Sequence, residues 1–194
     1  MYSYFEGNLI EKTPTYAVIE CGGIGYMINI SLITFTKIKD ATKCRLYTHL
    51  TVREDAHILY GFYDENERTL FRHLISVSGI GPNTARMMLS SLSADEIIQA
   101  ILLGNVSLIQ TIKGIGAKSA QRIILDLKDK LGKITFDSEN FSTSHNTKRE
   151  EALSALVMLG FNKTVAEKTL DKIIRSEDAN ATVEQLIKSA LKIL

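Results

Sequence analysis

The chain has 194 residues, of which 45% are hydrophobic and 23% are charged, which is typical of a folded protein with one domain or two to three small ones. The formal net charge of +1 excludes a large basic excess, and two cysteines, Cys21 and Cys44, exclude a disulfide scaffold and favour a reducing compartment. We see no signal peptide and no apolar run near the roughly 20 residues of a membrane span, so we expect a cytoplasmic protein without a membrane contact.

Residues 1–63 have the pattern of short β-strands. Gly22-Gly23 divides an apolar stretch as a hairpin turn does, and two further strand patterns flank the polar residues 53–55. We expect a polar, irregular segment over roughly 31–43. Five or six strands in about 60 residues predict a small closed barrel, for which an oligonucleotide-binding (OB) barrel is one candidate among several.

Residues 64–132 change to helical periodicity. Pro82 occupies a favoured first helical position, and Gly132 is expected to end a helix over 117–131. Capping signatures predict three further helix starts, at Asp64-x-x-Glu67, Ser93-x-x-Glu96 and Ser107-x-x-Gln110.

Residues 133–147 lack sustained periodicity and are rich in Ser, Thr and Asn, so they predict a flexible linker. Residues 148–194 are helical again and predict a small three-helix bundle. Gly160 is expected to end its first helix, and Thr182-x-x-Gln185 is a capping box for its third.

A Gly-Ile-Gly turn between helical patterns occurs twice, with Gly79 and Gly114 35 residues apart. The turns have the pattern of helix-hairpin-helix units, in which glycine lets another molecule approach the main chain. Each turn leads into a helix N-terminus, where unpaired N–H groups favour an anion. Because backbone donors add nothing to a count of Lys and Arg, a phosphate site is compatible with the small net charge. The alternative is a tight helix–helix connection without a ligand.

Three cations follow the turns: Arg86 on the first helix, and Lys118 and Arg122 on the second. Each is either a further phosphate contact or a solvated surface charge. Backbone phosphate contacts of this kind would read the shape of DNA rather than its base sequence.

The whole chain resembles the RuvA family of bacterial Holliday-junction-binding subunits. The stretches that carry the resemblance are "VIECGGIGYMI", "THLTVREDAHILYGF", "ERTLFRHLISVSGIGP", "IKGIGAKSAQRIILDLK" and "EALSALVMLGF". The resemblance implies an α+β multidomain protein. Its parts would be an OB-type β-barrel over 1–63, a tandem helix-hairpin-helix domain over 64–132, a linker over 133–147, and a C-terminal three-helix bundle like a ubiquitin-associated domain over 148–194.

The resemblance also implies partners. Members of the family form homotetramers, sometimes stacked in pairs as octamers, and hold an open four-way (Holliday) junction on a concave face. The C-terminal domain contacts the RuvB-like ATPase that moves the DNA arms, and a RuvC-like resolvase is a further expected partner. The resemblance implies no catalytic residue, no metal and no cofactor in this subunit.

The phosphate turns implied by the resemblance are Gly79, Ile80 and Gly81 in the first copy and Gly114, Ile115 and Gly116 in the second. Asn83, itself a candidate phosphate contact at the first turn, and Ala117 stand where family members often have a basic residue, although Lys118 follows directly. We therefore expect the binding geometry to be retained and the strength of binding, above all at high salt, to be lower.

Glu54 and Asp55 fall at the family's acidic pin, which projects at the centre of the junction, and Arg53 stands beside them. Carboxylates there would repel phosphates and disfavour a continuous duplex. The alternative is an ordinary polar hairpin tip. Leu159 and Phe161, at the end of "LSALVMLGF", are candidates for contact with the motor, although core packing is the commoner role of such residues.

Three other functions remain open on the residues alone. A DNA glycosylase would need a catalytic Asp with a Lys beside a hairpin, for which Asp126 and Lys113 are available. A nuclease would need Mg²⁺, which Glu54 and Asp55 are available to hold. A general duplex-binding scaffold would use the same turns without a preference for junctions. No GxxxxGK[ST] loop is present, so hydrolysis of ATP by that route is excluded.

Overall fold

The computed structural model describes residues 2–139, 144–176 and 181–194, which contain five strands and nine helices. The chain divides into two compact units, Met1–Lys133 and Ile134–Leu194. The first unit holds the barrel and the two glycine turns.

The five strands form a closed barrel in the order β1-β2-β3-β5-β4, in which β3 and β5 pair in parallel and all other neighbours are antiparallel. The predicted OB-type barrel is therefore confirmed. Alternate side chains point inward along the strands and fill a core that includes Phe5, Ile19, Ile28 and Leu46. The strands are β1 Tyr4–Lys12, β2 Tyr16–Cys21, β3 Ile24–Ile30, β4 Lys43–Val52 and β5 His57–Phe62.

A short helix, α1 (Leu32–Ile38), lies in the segment that was expected to be irregular, so that expectation is wrong. Its residues are largely β-branched and predict a helix poorly. The helix forms because Ser31 accepts a hydrogen bond from the N–H of Thr34 and because Thr34 and Ile38 are buried. Capping and burial thus outweigh the low intrinsic propensity.

Five helices follow the barrel, and their apolar faces pack on each other and on Tyr60 and Phe62 of β5. The predicted caps at Asp64 and Ser93 are confirmed, as is Pro82 at the first position of α3. The predicted cap at Ser107 is wrong, because Asn105 accepts the hydrogen bond from the N–H of Leu108. The helices are α2 Glu65–Ile75, α3 Pro82–Ser91, α4 Ala94–Leu102, α5 Val106–Gln110 and α6 Ala117–Glu139.

Helix α6 does not end at Gly132 as predicted but continues to Glu139. A Cβ at Gly132 would lie 3.8 Å from the Leu102 side chain, which is an ordinary contact distance. Nothing at this position therefore requires a glycine or a turn. Residues 133–139 are thus helical rather than irregular, and 144–147 belong to the next helix, α7. Residues 140–143 of the predicted linker lie outside the described residues, and the domain boundaries at 133 and 147 stay a prediction.

The second unit contains α7 (Ser144–Met158), α8 (Lys163–Ser176) and α9 (Val183–Leu191), which pack around Leu156, Leu170 and Leu186. The predicted capping box at Thr182 is confirmed, and Gly160, with φ of 98°, follows the end of α7 as expected. The three-helix bundle is therefore confirmed. In the part of the chain that the structure describes, no helix combines the length and apolar character needed to cross a membrane.

Candidate nucleic-acid interface

The two glycine turns share one hydrogen-bond pattern, offset by 35 residues. In each copy, an isoleucine N–H closes a tight turn, and the second glycine carbonyl then accepts the first bond of the next helix. The paired bonds are Ile80 N to Val77 O at 3.0 Å with Ile115 N to Ile112 O at 3.1 Å, and Ala85 N to Gly81 O at 3.0 Å with Ala120 N to Gly116 O at 2.9 Å. The repeat seen in the sequence is thus a repeat of backbone geometry.

The first glycine of each turn has a left-handed backbone, with φ of 90° at Gly79 and 91° at Gly114. Non-glycine residues rarely adopt this conformation, which explains the glycine at both positions. The isoleucine that follows points inward, and Ile80 and Ile115 are each 5% exposed within the core of the first unit. Both isoleucine N–H groups are already bonded, so they are not available to a ligand.

The second glycine of each turn faces open space. A Cβ built on Gly81 or Gly116 meets no atom within 4 Å, and both residues are exposed. Each glycine directly precedes a helix, α3 or α6, whose first-turn N–H groups have no acceptor within the helix. The structure thus brings together an open backbone surface and the positive end of a helix dipole at both turns.

Two cations lie beside the second turn. Lys118 is exposed in the first turn of α6. Arg122, one helical turn further on, is also exposed and donates from Nη1 to the carbonyl oxygen of Ser78 at 3.2 Å. Because Ser78 immediately precedes Gly79, Arg122 connects the helix of the second turn to the first turn.

The two side chains predicted to assist the first turn contact the barrel. Asn83 is exposed, and its Oδ1 accepts a hydrogen bond from the hydroxyl of Tyr60 at 3.3 Å. Arg86 donates from Nη1 to the carbonyl oxygen of Thr15 at 3.0 Å and to Oδ1 of Asn29 at 3.3 Å. Nothing near Asn83 or Arg86 in the sequence indicates these barrel partners, which lie between 23 and 71 residues away along the chain.

Arg53, Glu54 and Asp55 form the tip of the β4–β5 hairpin. The strands end at the pair Val52 and His57, and the N–H of Arg53 donates to the carbonyl oxygen of Ala56 at 2.8 Å to close the turn. All three tip side chains are exposed. Both carboxylates therefore stand at the end of a projecting hairpin, where a nearby phosphate would feel their charge.

The two residues considered for a DNA glycosylase, Lys113 and Asp126, do not lie in a buried site. Lys113 and Asp126 are both exposed. Lys113 directly precedes the second turn, whereas Asp126 lies nine residues into α6, about 14 Å along the helix axis from its start. Both groups therefore lie on the solvent-exposed surface rather than in a buried base pocket.

The two candidate motor contacts differ in exposure. Leu159 is 60% exposed, next to Met158, which is 86% exposed. Phe161 is partly buried and packs against the core of the three-helix bundle. The structure thus places Leu159, but not Phe161, on an open apolar surface.

Comparison with known proteins identifies matches along the chain. Residues 1–61 match the family described as RuvA N terminal domain, residues 71–129 match the SAM-like helix-hairpin-helix tandem, and residues 147–194 match the RuvA C-terminal domain. Similar relatives include proteins of Christiangramia forsetii (57% identical over 194 residues), Cytophaga hutchinsonii (50% over 198) and Flavobacterium psychrophilum (50% over 195). Each alignment covers all of both chains, and each relative carries the name Holliday junction branch migration complex subunit RuvA.

Proposed function

The chain belongs to the RuvA family, and from this premise we propose that it binds four-way DNA junctions as the non-catalytic subunit of a branch-migration complex. In this role it loads a RuvB-like ATPase onto the junction during recombination and repair. The relatives' name supports membership of such a complex.

The observation that carries the proposal is the pair of geometrically equivalent turns within one compact unit. Gly81 and Gly116 leave the backbone open, and α3 and α6 direct unpaired N–H groups there. Two anion sites at a fixed separation suit the regularly spaced phosphates of a DNA arm. Their contacts depend on backbone shape and carry no base specificity. Lys118 adds a cation to the second site.

The hairpin tip supplies selectivity for junctions. In a homotetramer, Glu54 and Asp55 from four chains would bring eight carboxylates to the centre. These charges repel a duplex that runs straight across and favour strands that separate there. Two stacked tetramers would enclose the junction from both sides, whereas one leaves a face open to a RuvC-like resolvase.

The C-terminal unit, with Leu159 on its exposed apolar surface, contacts the motor. The ATPase supplies the chemical energy, so this chain needs no nucleotide site, metal or cofactor. DNA binding and motor binding thus use different parts of the chain.

A competition experiment tests the proposal. Full-length protein is bound to a labelled four-way junction, and unlabelled linear duplex of the same length is added in excess, with Mg²⁺ present. We expect the complex to persist and the junction strands to stay intact. Equal displacement by linear duplex would support a general duplex-binding scaffold instead, and cleaved strands would support a nuclease centred on Glu54 and Asp55.

A further inference from the structure

Two residues at the start of α3 connect the first turn to the barrel. Asn83 accepts from the hydroxyl of Tyr60, a residue of β5 that is only 2% exposed. One helical turn on, Arg86 bonds to Asn29 of β3 and to the backbone at Thr15. A buried hydroxyl without a partner is unfavourable, so the contact to Asn83 also satisfies Tyr60.

These contacts converge on one place in the barrel. Asn29 and Tyr60 are directly paired in the register of the parallel strands β3 and β5. Asn29 also donates from Nδ2 to the carbonyl oxygen of Leu59 at 3.3 Å, which holds its amide in place. Asn29, Tyr60, Asn83 and Arg86 thus form a closed set of contacts, here called the seam cluster.

The seam cluster connects the strand that follows the hairpin tip to the helix that follows the first turn. Tyr60 is on β5, the strand that leads out of the hairpin tip at Asp55, five residues earlier. Asn83 is two residues after Gly81 in the first turn. The hydrogen bond from Tyr60 to Asn83 therefore links β5, the strand that follows the hairpin tip, directly to the helix that follows the first turn.

The second turn differs from the first in this respect. The positions that correspond to Asn83 and Arg86 in the repeat are Lys118 and Gln121, and both side chains are exposed. Within the residues that the structure describes, neither side chain makes a hydrogen bond to the barrel. The two copies have therefore diverged. The side chains of the first copy contact the barrel, whereas those of the second copy face solvent.

We infer that Asn83 and Arg86 are positioning residues rather than phosphate ligands. They fix the first turn relative to the hairpin tip and so set the preference for junctions over linear duplex. The second turn, with Lys118, supplies the side-chain charge that holds phosphate. This inference rests on the proposed function, because a preference for junctions must exist before its geometry can matter.

Salt dependence separates the two roles. Removal of a cation that binds a phosphate reduces the slope of log affinity against log salt by about 0.9 on duplex DNA, whereas removal of a positioning residue leaves the slope in place. The affinities of full-length protein for a four-way junction and for linear duplex are therefore measured at several salt concentrations. The variants are Arg86→Gln and Tyr60→Phe, with Lys118→Gln as the matched removal of a cation.

For Arg86→Gln and Tyr60→Phe, we expect the ratio of junction to duplex affinity to fall roughly three- to tenfold, with an unchanged salt slope. For Lys118→Gln, we expect a smaller slope and a similar decrease in affinity for both DNAs. A reduced slope for Arg86→Gln with an unchanged ratio would overturn the inference and make Arg86 a phosphate ligand. An unchanged ratio in both variants would also overturn it.

Two controls keep the outcomes distinct. Tyr60→Phe removes only the hydroxyl group that donates to Asn83, so it tests the cluster even if Arg86→Gln does not fold. Thermal unfolding of each variant shows which variants have folded. If the wild-type protein itself shows no preference for the junction, the proposed function fails, and the inference fails with it. If both variants keep the wild-type preference for the junction over linear duplex, the proposed function stands and only the inference about Asn83 and Arg86 is refuted.

Discussion

The guanidinium of Arg122 donates from Nη1 to the carbonyl oxygen of Ser78 at 3.2 Å, which joins the helix of the second glycine turn to the residue that precedes the first. The two residues are 44 positions apart along the chain. This contact restrains the spacing between the turns. It also gives Arg122 a structural partner in addition to any DNA phosphate.

Replacement of Arg122 should therefore weaken junction binding in two ways. Arg122→Gln removes the positive charge and the guanidinium that donates to Ser78. We expect junction affinity to fall roughly tenfold, because both the proposed phosphate contact and the restraint are lost. Fluorescence anisotropy with a labelled junction measures this. Lys128→Gln, which removes an exposed cation further along α6, is the control; an equal effect there would show that only overall charge matters.

The two glycines of each turn should respond differently to alanine. Gly81 has an extended backbone (φ −84°, ψ 167°), and both Gly81 and Gly116 have room for a Cβ. The double variant Gly81→Ala/Gly116→Ala should therefore keep its unfolding temperature while junction affinity falls roughly tenfold, because the methyl groups obstruct the close approach of the DNA backbone.

Gly79 and Gly114 are the matched control for these substitutions. Their left-handed conformation makes alanine unfavourable by about 1–2 kcal/mol at each position, although open space surrounds both. Gly79→Ala/Gly114→Ala should thus lower the unfolding temperature. If Gly81→Ala/Gly116→Ala left junction affinity unchanged, capture of phosphate by the open backbone would be refuted.

Neutral substitutions at the hairpin tip should relax the preference for junctions. In Glu54→Gln/Asp55→Asn, removal of the exposed carboxylates should raise affinity for linear duplex roughly three- to tenfold at low salt, and the gain should shrink as salt screens the charges. The control is Glu150→Gln/Glu151→Gln, another adjacent exposed pair in the C-terminal unit. The same gain in duplex affinity in both variants would mean that the effect comes from overall charge and not from the position of the carboxylates at the hairpin tip.

Local features of the sequence predicted much of the fold. Capping residues such as Ser93 and Thr182, the proline at the start of α3 and the duplicated glycine turns each act within four residues, so their structural consequences can be read directly from the chain. The closed barrel also follows from short strand patterns. The glycine turns appeared where the pattern placed them, with matching backbone geometry.

Features that depend on distant partners were not predicted. The contacts of Asn83 and Arg86 with the barrel were not predicted, because nothing near them in the sequence indicates Tyr60, Asn29 or Thr15. Helix α1 was missed for a similar reason, since the burial of its side chains outweighs their preference for strands. Gly132 permits a helix end but does not require one.

Glu67 connects three elements of the first unit and is only 2% exposed. Its Oε2 accepts from the hydroxyl of Thr34 at 3.1 Å and from the N–H of Tyr63 at 3.0 Å. Burial raises the pKa of Glu67 above its ordinary value, and the nearby charge of Lys37 partly opposes the rise. The folded state therefore holds this proton more tightly than the unfolded chain does.

The stability that Glu67 contributes should accordingly be present at low pH and decrease as pH rises through its raised pKa. Glu67→Gln stays neutral, so its free energy of unfolding should increase relative to that of the wild type as pH rises above the ordinary pKa of a glutamate. Urea unfolding at several pH values measures this, with Glu150→Gln as an exposed control. A difference that does not change with pH would contradict the assignment.

The most direct test of the account is residue-resolved hydrogen exchange of the backbone amides in the first turns of α3 and α6, measured with and without a bound four-way junction. The informative amides are those of Asn83 and Thr84 and of Lys118 and Ser119, which have no acceptor within their helices. We predict that exchange slows at both turns when the junction binds, while the amides of the Gly22-Gly23 hairpin are unchanged. Unaltered exchange at either turn in the saturated complex would contradict the claim that paired backbone sites hold the DNA.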